Sequence, residues 1–375
     1  MEAISGVGSH PLGFRVTGTP EERLLTDRIA GWMRDAGLEQ VGIERVPVDA
    51  WRFRGASVTV RGGTPIEAAS FGGAPPTRSG GVEGPLVDVE DGRRTVLDRH
   101  DLAGRVALVD WRAEGTSISD VGLELGLRGC RAMVVACLPG GARFQGADAL
   151  GTAVVGWHRE APPAVTIRAA DAAKLVARCR GGDVTARVVL DLQIRAGNGR
   201  NVVGILPGRR STAAPLVVGA HHDGWFRGAF DNASGVACML AMARAARDLG
   251  WRPARPVCFV SHTAEEYGRT QDDYSWCLGA WHQIARTHPR WGSTVPFYLN
   301  VEASGHPGLP LRVEGPVELR RLAARVVGPA DRAGRLPRGW VFGPPVTGTE
   351  AWPFQLRGVP SLSVYNWHKD FARTD

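Results

Sequence analysis

The chain has 375 residues, 43% of them hydrophobic, and a formal net charge of +7. That length and apolar content support a large core and exclude a disordered chain, with two domains or one domain carrying a large insertion as the expectation. All 45 basic side chains except Lys174 and Lys369 are arginine, scattered among Asp and Glu. This argues against a nucleic-acid footprint, in which basic residues gather on one face. Residues 1–14 show neither a basic start nor a long apolar run, so no signal peptide or membrane anchor is visible and the default expectation is a cytoplasmic protein. Cys130, Cys137, Cys179, Cys238, Cys258 and Cys277 form no C-x-x-C pair, and buried thiols are expected rather than disulfides.

In chain order, residues 19–37 predict an amphipathic helix. Thr19 is its N-cap, Pro20 lies in the first turn, Glu21 and Glu22 sit at the positive end and Gly37 is the stop. Leu24, Leu25, Ile29, Trp32 and Met33 fall on one face, which reads as core packing. Residues 41–51 alternate as an edge strand would. From 56 to 194 the texture changes to short β-like runs (56–60, 84–89, 105–111) between Gly/Pro turns, with helical segments at 122–137 and within 163–182. His100, His158 and Cys137 in this stretch read as structural or surface groups. It looks like an inserted β-rich domain, and its segments 101–112, 122–137 and 163–182 resemble the protease-associated domain.

The main unit then consists of 1–55 and 195–375. After a strand at 201–209, strands at 216–220, 256–262, 295–303 and 360–365 alternate with helices at 233–249, about 274–288 and about 316–327. The alternation predicts an α/β fold with a mixed, largely parallel sheet and helices on both faces. Polar groups gather where these strands end. His221 and Asp231 follow the first, with Asp231 and Asn232 capping the helix at 233. Glu265 and Glu266 follow the second, Glu302 the third and His368 the fourth. Open α/β sheets place ligand crevices outside the carboxyl ends of their strands. Two imidazoles and three carboxylates suit two zinc ions sharing a bridging carboxylate, with the fourth carboxylate left as a base. Taken singly, each of these groups reads as an ordinary structural histidine or a helix cap; their recurrence at successive strand ends favours a site. His222 and His262 read as supporting groups. Asp223 reads as the carboxylate orienting His221 through its other ring nitrogen.

These motifs resemble Peptidase family M28, the zinc aminopeptidase and glutamate-carboxypeptidase-like group. The resemblance rests on His221, His222 and Asp223, on Asp231 to Gly235, on Glu265 to Gly268, on Gly358 to Pro360 leading to His368, and on the opening residues 13–23. It implies that His221 and Glu302 hold one zinc, Glu266 and His368 another, that Asp231 bridges them and that Glu265 is the general base. Glu302 stands where the family usually has Asp. Thr349, Glu350 and Phe354 stand where it has Ser-Asp-x-x-x-Phe, and Lys369 follows His368 in place of Thr. The expected activity is hydrolysis of amide bonds in small peptides or N-acyl amino acids with two zinc ions, or one, per chain. Glutaminyl-cyclase-like single-zinc chemistry and a catalytically silent binding protein are the alternatives, separated by zinc content. Trp225, Phe226, Arg227, Tyr267, Trp276, Trp352 and Trp367 are candidate pocket liners, and Arg227 and Arg269 candidate carboxylate receivers. Neither a membrane nor a nucleic acid is an expected partner, and an oligomer is compatible with the sequence.

Overall fold

The computed structural model describes residues 1–111, 117–137, 150, 158–270, 276–306, 308–336 and 338–366. The first half contributes β1 (Glu39–Val60), β2 (Ile66–Ser70), β3 (Val82–Asp88), β4 (Val106–Trp111), β5 (Ala132–Cys137), β6 (Ala164–Arg168) and β7 (Thr185–Leu206). The second half contributes β8 (Leu216–His221), β9 (Val257–His262), β10 (Tyr298–Val301), β11 (Leu311–Glu314), β12 (Trp340–Gly343) and β13 (Ser361–Tyr365). The helices that matter here are α1 (Pro20–Asp35), α2 (Ile118–Leu127), α3 (Ala169–Arg180), α4 (Ser234–Asp248), α5 (Leu278–His282), α6 (Arg320–Arg332) and α7 (Ala351–Leu356).

The strands are hydrogen-bonded in the order β1-β2-β6-β5-β4-β3-β7-β9-β8-β10-β13-β11-β12, and β1 also pairs with β7. That extra pairing closes the first seven strands into a ring, filled by one apolar cluster that includes Val58, Leu108, Met133, Val165 and Val188. Beyond β7 the sheet opens out. β9, β8, β10 and β13 run parallel to one another, flanked by antiparallel β7 on one side and antiparallel β11 on the other. This is the mixed α/β sheet that the alternating pattern predicts.

The pleat explains why helices cover both faces of the open part. On β9, Val257 and Phe259 point into a core shared with Leu25, Ile29 and Met33 of α1 and Met239 and Ala243 of α4. Cys258 and Val260, one residue out of step, point into a second core with Ala280 of α5 and Phe354 of α7. Successive side chains on a strand face opposite sides, so an uninterrupted apolar run such as Val-Cys-Phe-Val requires cover on both. Helix α1 begins as its sequence predicts: Thr19 Oγ1 accepts the Glu22 amide at 3.3 Å and the Glu22 carboxylate accepts the Gly18 amide at 2.6 Å.

Three sequence expectations change. The segment 122–137 is not one helix: α2 ends at Leu127, and 132–137 is the buried strand β5, because Gly129 at φ +77° breaks the helix and Val134 and Val135 favour a pleated surface. The separate runs at 41–51 and 56–60 are one 22-residue strand, β1, with a register shift between Phe53 and Gly55. Its partner β7 is equally long, so the positions 55/56 and 194/195 both lie inside strands that run from the ring into the open sheet. Of the cysteines, Cys130, Cys179, Cys238, Cys258 and Cys277 are free thiols. No helix among the described residues is long and apolar enough to cross a membrane.

Trp51 sits on β1 near the point where ring and open sheet meet, fully buried, stacked on Phe53 at 5.8 Å and edge-on to Trp225 at 5.5 Å. Trp51→Ala is expected to lower unfolding free energy by about 3–5 kcal/mol, read from equilibrium urea denaturation. A loss below about 1 kcal/mol would show that this junction is not a structural anchor.

Candidate metal centre

Strand β8 delivers His221 to the lip of the sheet with its ring fully buried. Its Nδ1 donates to the Asp223 carbonyl at 3.1 Å, which turns Nε2 outward to lie 3.0 Å from Asp231 Oδ1 and 3.8 Å from Glu265 Oε2. The Asp223 carboxylate works one layer back. Its two oxygens accept the amides of Glu265 and Glu266 at 3.1 and 3.0 Å, fastening the turn after β9 to the turn after β8. Asp223 Oδ1 also lies 3.6 Å from His221 Nδ1, beyond hydrogen-bonding distance. The orienting group for His221 is therefore the Asp223 backbone carbonyl more than its side chain, a refinement of the sequence expectation.

The next two acids are placed through Asn232. Its Oδ1 accepts the amides of Gly235, at the start of α4, and of Ala303, while its Nδ2 donates to the Val301 carbonyl. One side chain thus caps α4 and ties it to the end of β10 that carries Glu302, leaving Asp231 to face His221. Glu302 Oε2 accepts Asn300 Nδ2 at 2.9 Å, and Asn300 Oδ1 in turn accepts the Tyr298 hydroxyl at 3.3 Å. Glu265 Oε1 accepts the Trp276 indole N–H at 2.6 Å, and the Cys277 thiol lies 3.6 Å from the same oxygen.

Beneath the site lies a polar layer that sequence reasoning missed. Arg15 is wholly buried and donates to the carbonyls of His222, Arg227 and Gly228 at 2.5, 3.0 and 3.1 Å, which shapes the loop between His221 and Asp231. Gly228 is left-handed there, and a Cβ on it would come within 2.8 Å of the Arg15 guanidinium. Glu22, read as a dipole-end acid of α1, is buried and gathers His222 Nε2, the Arg200 amide and the Thr263 hydroxyl on one oxygen. A buried charge needs partners of this kind. The charged residues of the 13–23 opening carried the signal, but nothing in their spacing says that they fold under the strand ends.

The charge balance around His221 is the site's main property. Burial pushes the carboxyls of Glu265 and Glu266 well above the ordinary carboxylate range; Glu302, Glu350 and Asp231 add to the rise at Glu265, and Asp231, Glu265 and Asp223 to that at Glu266. Burial likewise lifts Glu350 to about 7. For His221, burial disfavours the imidazolium, yet Glu265, Asp223 and Asp231 outweigh it and hold the ring's proton affinity well above normal. His262 shows the opposite case: burial and the neighbouring His222 and His221 push it down to about 3, so it stays neutral, packed against Tyr298 and Phe354. A cluster of acids around one imidazole attracts a cation. Donor atoms of His221, Glu265 and Glu302 lie within 4.8 Å of one another, and a nitrogen-and-oxygen set of this kind fits a borderline divalent ion such as zinc.

The structure thus brings His221, Asp223, Asp231, Glu265, Glu266 and Glu302 into one neighbourhood. His368 and Trp367 lie outside the described residues. The proposed liners divide: Trp225, Phe226 and Tyr267 are core residues of the cluster that fills the ring, whereas Trp276 does line a cavity. Sequence adjacency to the motifs misleads for Trp225 and Phe226 because their loop folds them inward against Trp51 and Phe14. That cavity, about 470 Å³, is walled by Asp231, Trp276, Glu302, Ala303, Tyr365 and the 345–349 loop. Arg227 and Arg269 are not among its described lining residues.

Fold and site together define an α/β protein with a buried cation-attracting centre at the carboxyl ends of a parallel sheet. Comparison with known proteins narrows this: residues 201–374 match the model of Peptidase family M28. Among curated relatives, the aminopeptidase NAALADL1 of Rattus norvegicus is 30% identical over 139 residues, 36% of this chain and 17% of that protein. A probable glutamate carboxypeptidase of Arabidopsis thaliana is 30% identical over 138 residues, 36% of this chain and 19% of that one. The matched stretch therefore spans less than a fifth of these relatives. Among solved structures, a zinc aminopeptidase from Bacillus subtilis superposes with TM-score 0.74 at 20% identity, covering 99% of this chain and 86% of that one. The Peptidase M28 precursor from Shewanella amazonensis gives 0.76 at 20% identity, covering 97% and 83%.

The role of Asp223 as a clamp is open to measurement. Asp223→Asn leaves one of the two backbone N–H groups facing an amide N–H₂, and unfolding free energy is expected to fall by about 1–3 kcal/mol in urea denaturation. An unchanged midpoint would show that the two turns hold themselves.

Proposed function

We propose that this chain is a zinc-dependent aminopeptidase that hydrolyses the amide bond after an unblocked amino-terminal residue of a small peptide. The observation that carries the reading is the wall of the cavity: its described lining offers the carboxylates of Asp231 and Glu302 and no Arg or Lys. With those two carboxylates engaged by zinc, the described wall still gives no charge partner to a substrate carboxylate, which favours recognition of the amino end over the carboxyl end. The zinc aminopeptidases with which the fold superposes support the same reading. In this reading His221, Asp231, Glu266, Glu302 and His368 would be the residues that hold zinc.

Bound zinc would supply Lewis acidity, lowering the pKa of a water and polarising the substrate carbonyl. The chain's own part is proton handling and orientation. Glu265 is tethered at Oε1 by the Trp276 indole, which leaves Oε2 on the His221 side to take the proton of the attacking water and return it to the departing amine nitrogen. Trp276 acts twice, as tether of the base and as a wall of the cavity. Burial of Glu265, 3% exposed, keeps bulk water from competing for that proton. We assign the seven-strand ring to the protease-associated domain suggested by segments 101–112, 122–137 and 163–182, and the chain to the cytoplasm.

The direct test is hydrolysis of aminoacyl p-nitroanilides by the zinc-loaded chain, against the same amides with a blocked amino group. Activity on the free amine and not on the N-acyl form is expected, as is loss with a chelator and recovery with added zinc. Preference for the N-acyl form overturns the aminopeptidase reading. Glu265→Gln should keep the wild-type zinc content and lose on the order of 10²–10⁴ in kcat. If that variant loses zinc instead, Glu265 is a ligand and the base lies elsewhere.

A further inference from the structure

One carboxylate in the structure has no use in the mechanism above. Glu350 is fully buried, and neither of its oxygens has a hydrogen-bond partner among the described residues. It cannot swing to solvent. The residue before it, Thr349, is pinned through its hydroxyl to Ser363 of β13 at 2.8 Å, and the residues after it, Ala351 and Phe354, are embedded in the core beneath the sheet. It lies within electrostatic reach of His221, Asp223, Asp231, Glu265, Cys277 and Tyr298, and its neighbour Thr349 lines the cavity together with Asp231 and Glu302, which places it beside the strand-end cluster. Thr349 lines the cavity; Glu350 does not.

A buried carboxylate without a hydrogen bond is strongly disfavoured unless a positive charge faces it. The His221 ring is already engaged by Asp231 and lies near Glu265, so one imidazole cannot balance this many acids. We propose that Glu350 is an additional carboxylate of the cation centre, a positioning residue that strengthens metal binding by its charge close to His221 and Glu265 without touching substrate. The inference rests on the metal-centre reading and adds a residue to it. It also accounts for the anchoring of Glu350 on both sides, since a charge that works through the field of the site must be held at a fixed distance.

The test is zinc affinity, measured by competition with a chromophoric chelator on the full chain, together with melting temperature with and without zinc. Glu350→Gln keeps the shape and removes the charge. It is expected to bind zinc about 10–100-fold more weakly, the effect typical of groups standing behind metal ligands. The metal-free variant is expected to melt no lower than wild type, because an unpaired amide is less costly to bury than an unpaired charge. A purely structural role predicts the reverse, a lower metal-free melting temperature with unchanged zinc affinity, and that result overturns the proposal. Glu350→Met, also close in shape, provides the same comparison if the glutamine variant does not fold. A wild-type chain that binds no zinc overturns both readings, whereas wild-type binding with unaltered affinity in the variants overturns this one alone.

Discussion

The constraint on which the structure turns is electrostatic: several acids, among them the buried Asp223, Glu265 and Glu266, gather around the buried imidazole of His221. Carboxylates at this separation repel, and the fold must resist that repulsion until a cation arrives. It does so with backbone and amide anchors more than with opposing charges. Asp223 ties the turns after β8 and β9 together, Asn232 ties the start of α4 to the end of β10, and Trp276 tethers Glu265. Asp223 joins two strand ends, so its loss would loosen two acid-bearing turns at once.

The layer beneath has the same logic. Arg15 holds three carbonyls of the loop that leads to Asp231, and Glu22 links α1 to His222, Arg200 and Thr263. Both come from the first 22 residues of the chain, so the amino-terminal segment is part of the floor of the site. The seven-strand ring connects to this floor through β1 and β7, which pass from one part to the other without interruption, and through the aromatic packing of Trp51 on Trp225. Motion of the ring against the open sheet would have to bend two paired 22-residue strands.

Much of this was legible from residue order. Helix α1 and its cap, the succession of parallel strands and the positions of His221, Asp231, Glu265, Glu266 and Glu302 follow from periodicity, turn residues and strand-end placement. Sequence reasoning was weakest where an apolar run had two uses. Residues 132–137 read as the end of a helix until β4 and β6 are seen on either side. The aromatic residues Trp225, Phe226 and Tyr267 read as pocket walls until the ring's core is seen to absorb them. The short strands β2, β11 and β12 are only four or five residues long, too short for a period-2 pattern to stand out.

By itself the sequence determined which groups could bind a cation and that they stand at the ends of successive strands, because strand and turn chemistry is local. Tertiary structure alone decided which of them share a neighbourhood, that Asp223 is a clamp, that Arg15 and Glu22 lie under the site and that Glu350 is buried without a partner. The reason is physical. Local propensity fixes where a side chain leaves the backbone, whereas desolvation and charge balance depend on which distant segments are packed around it.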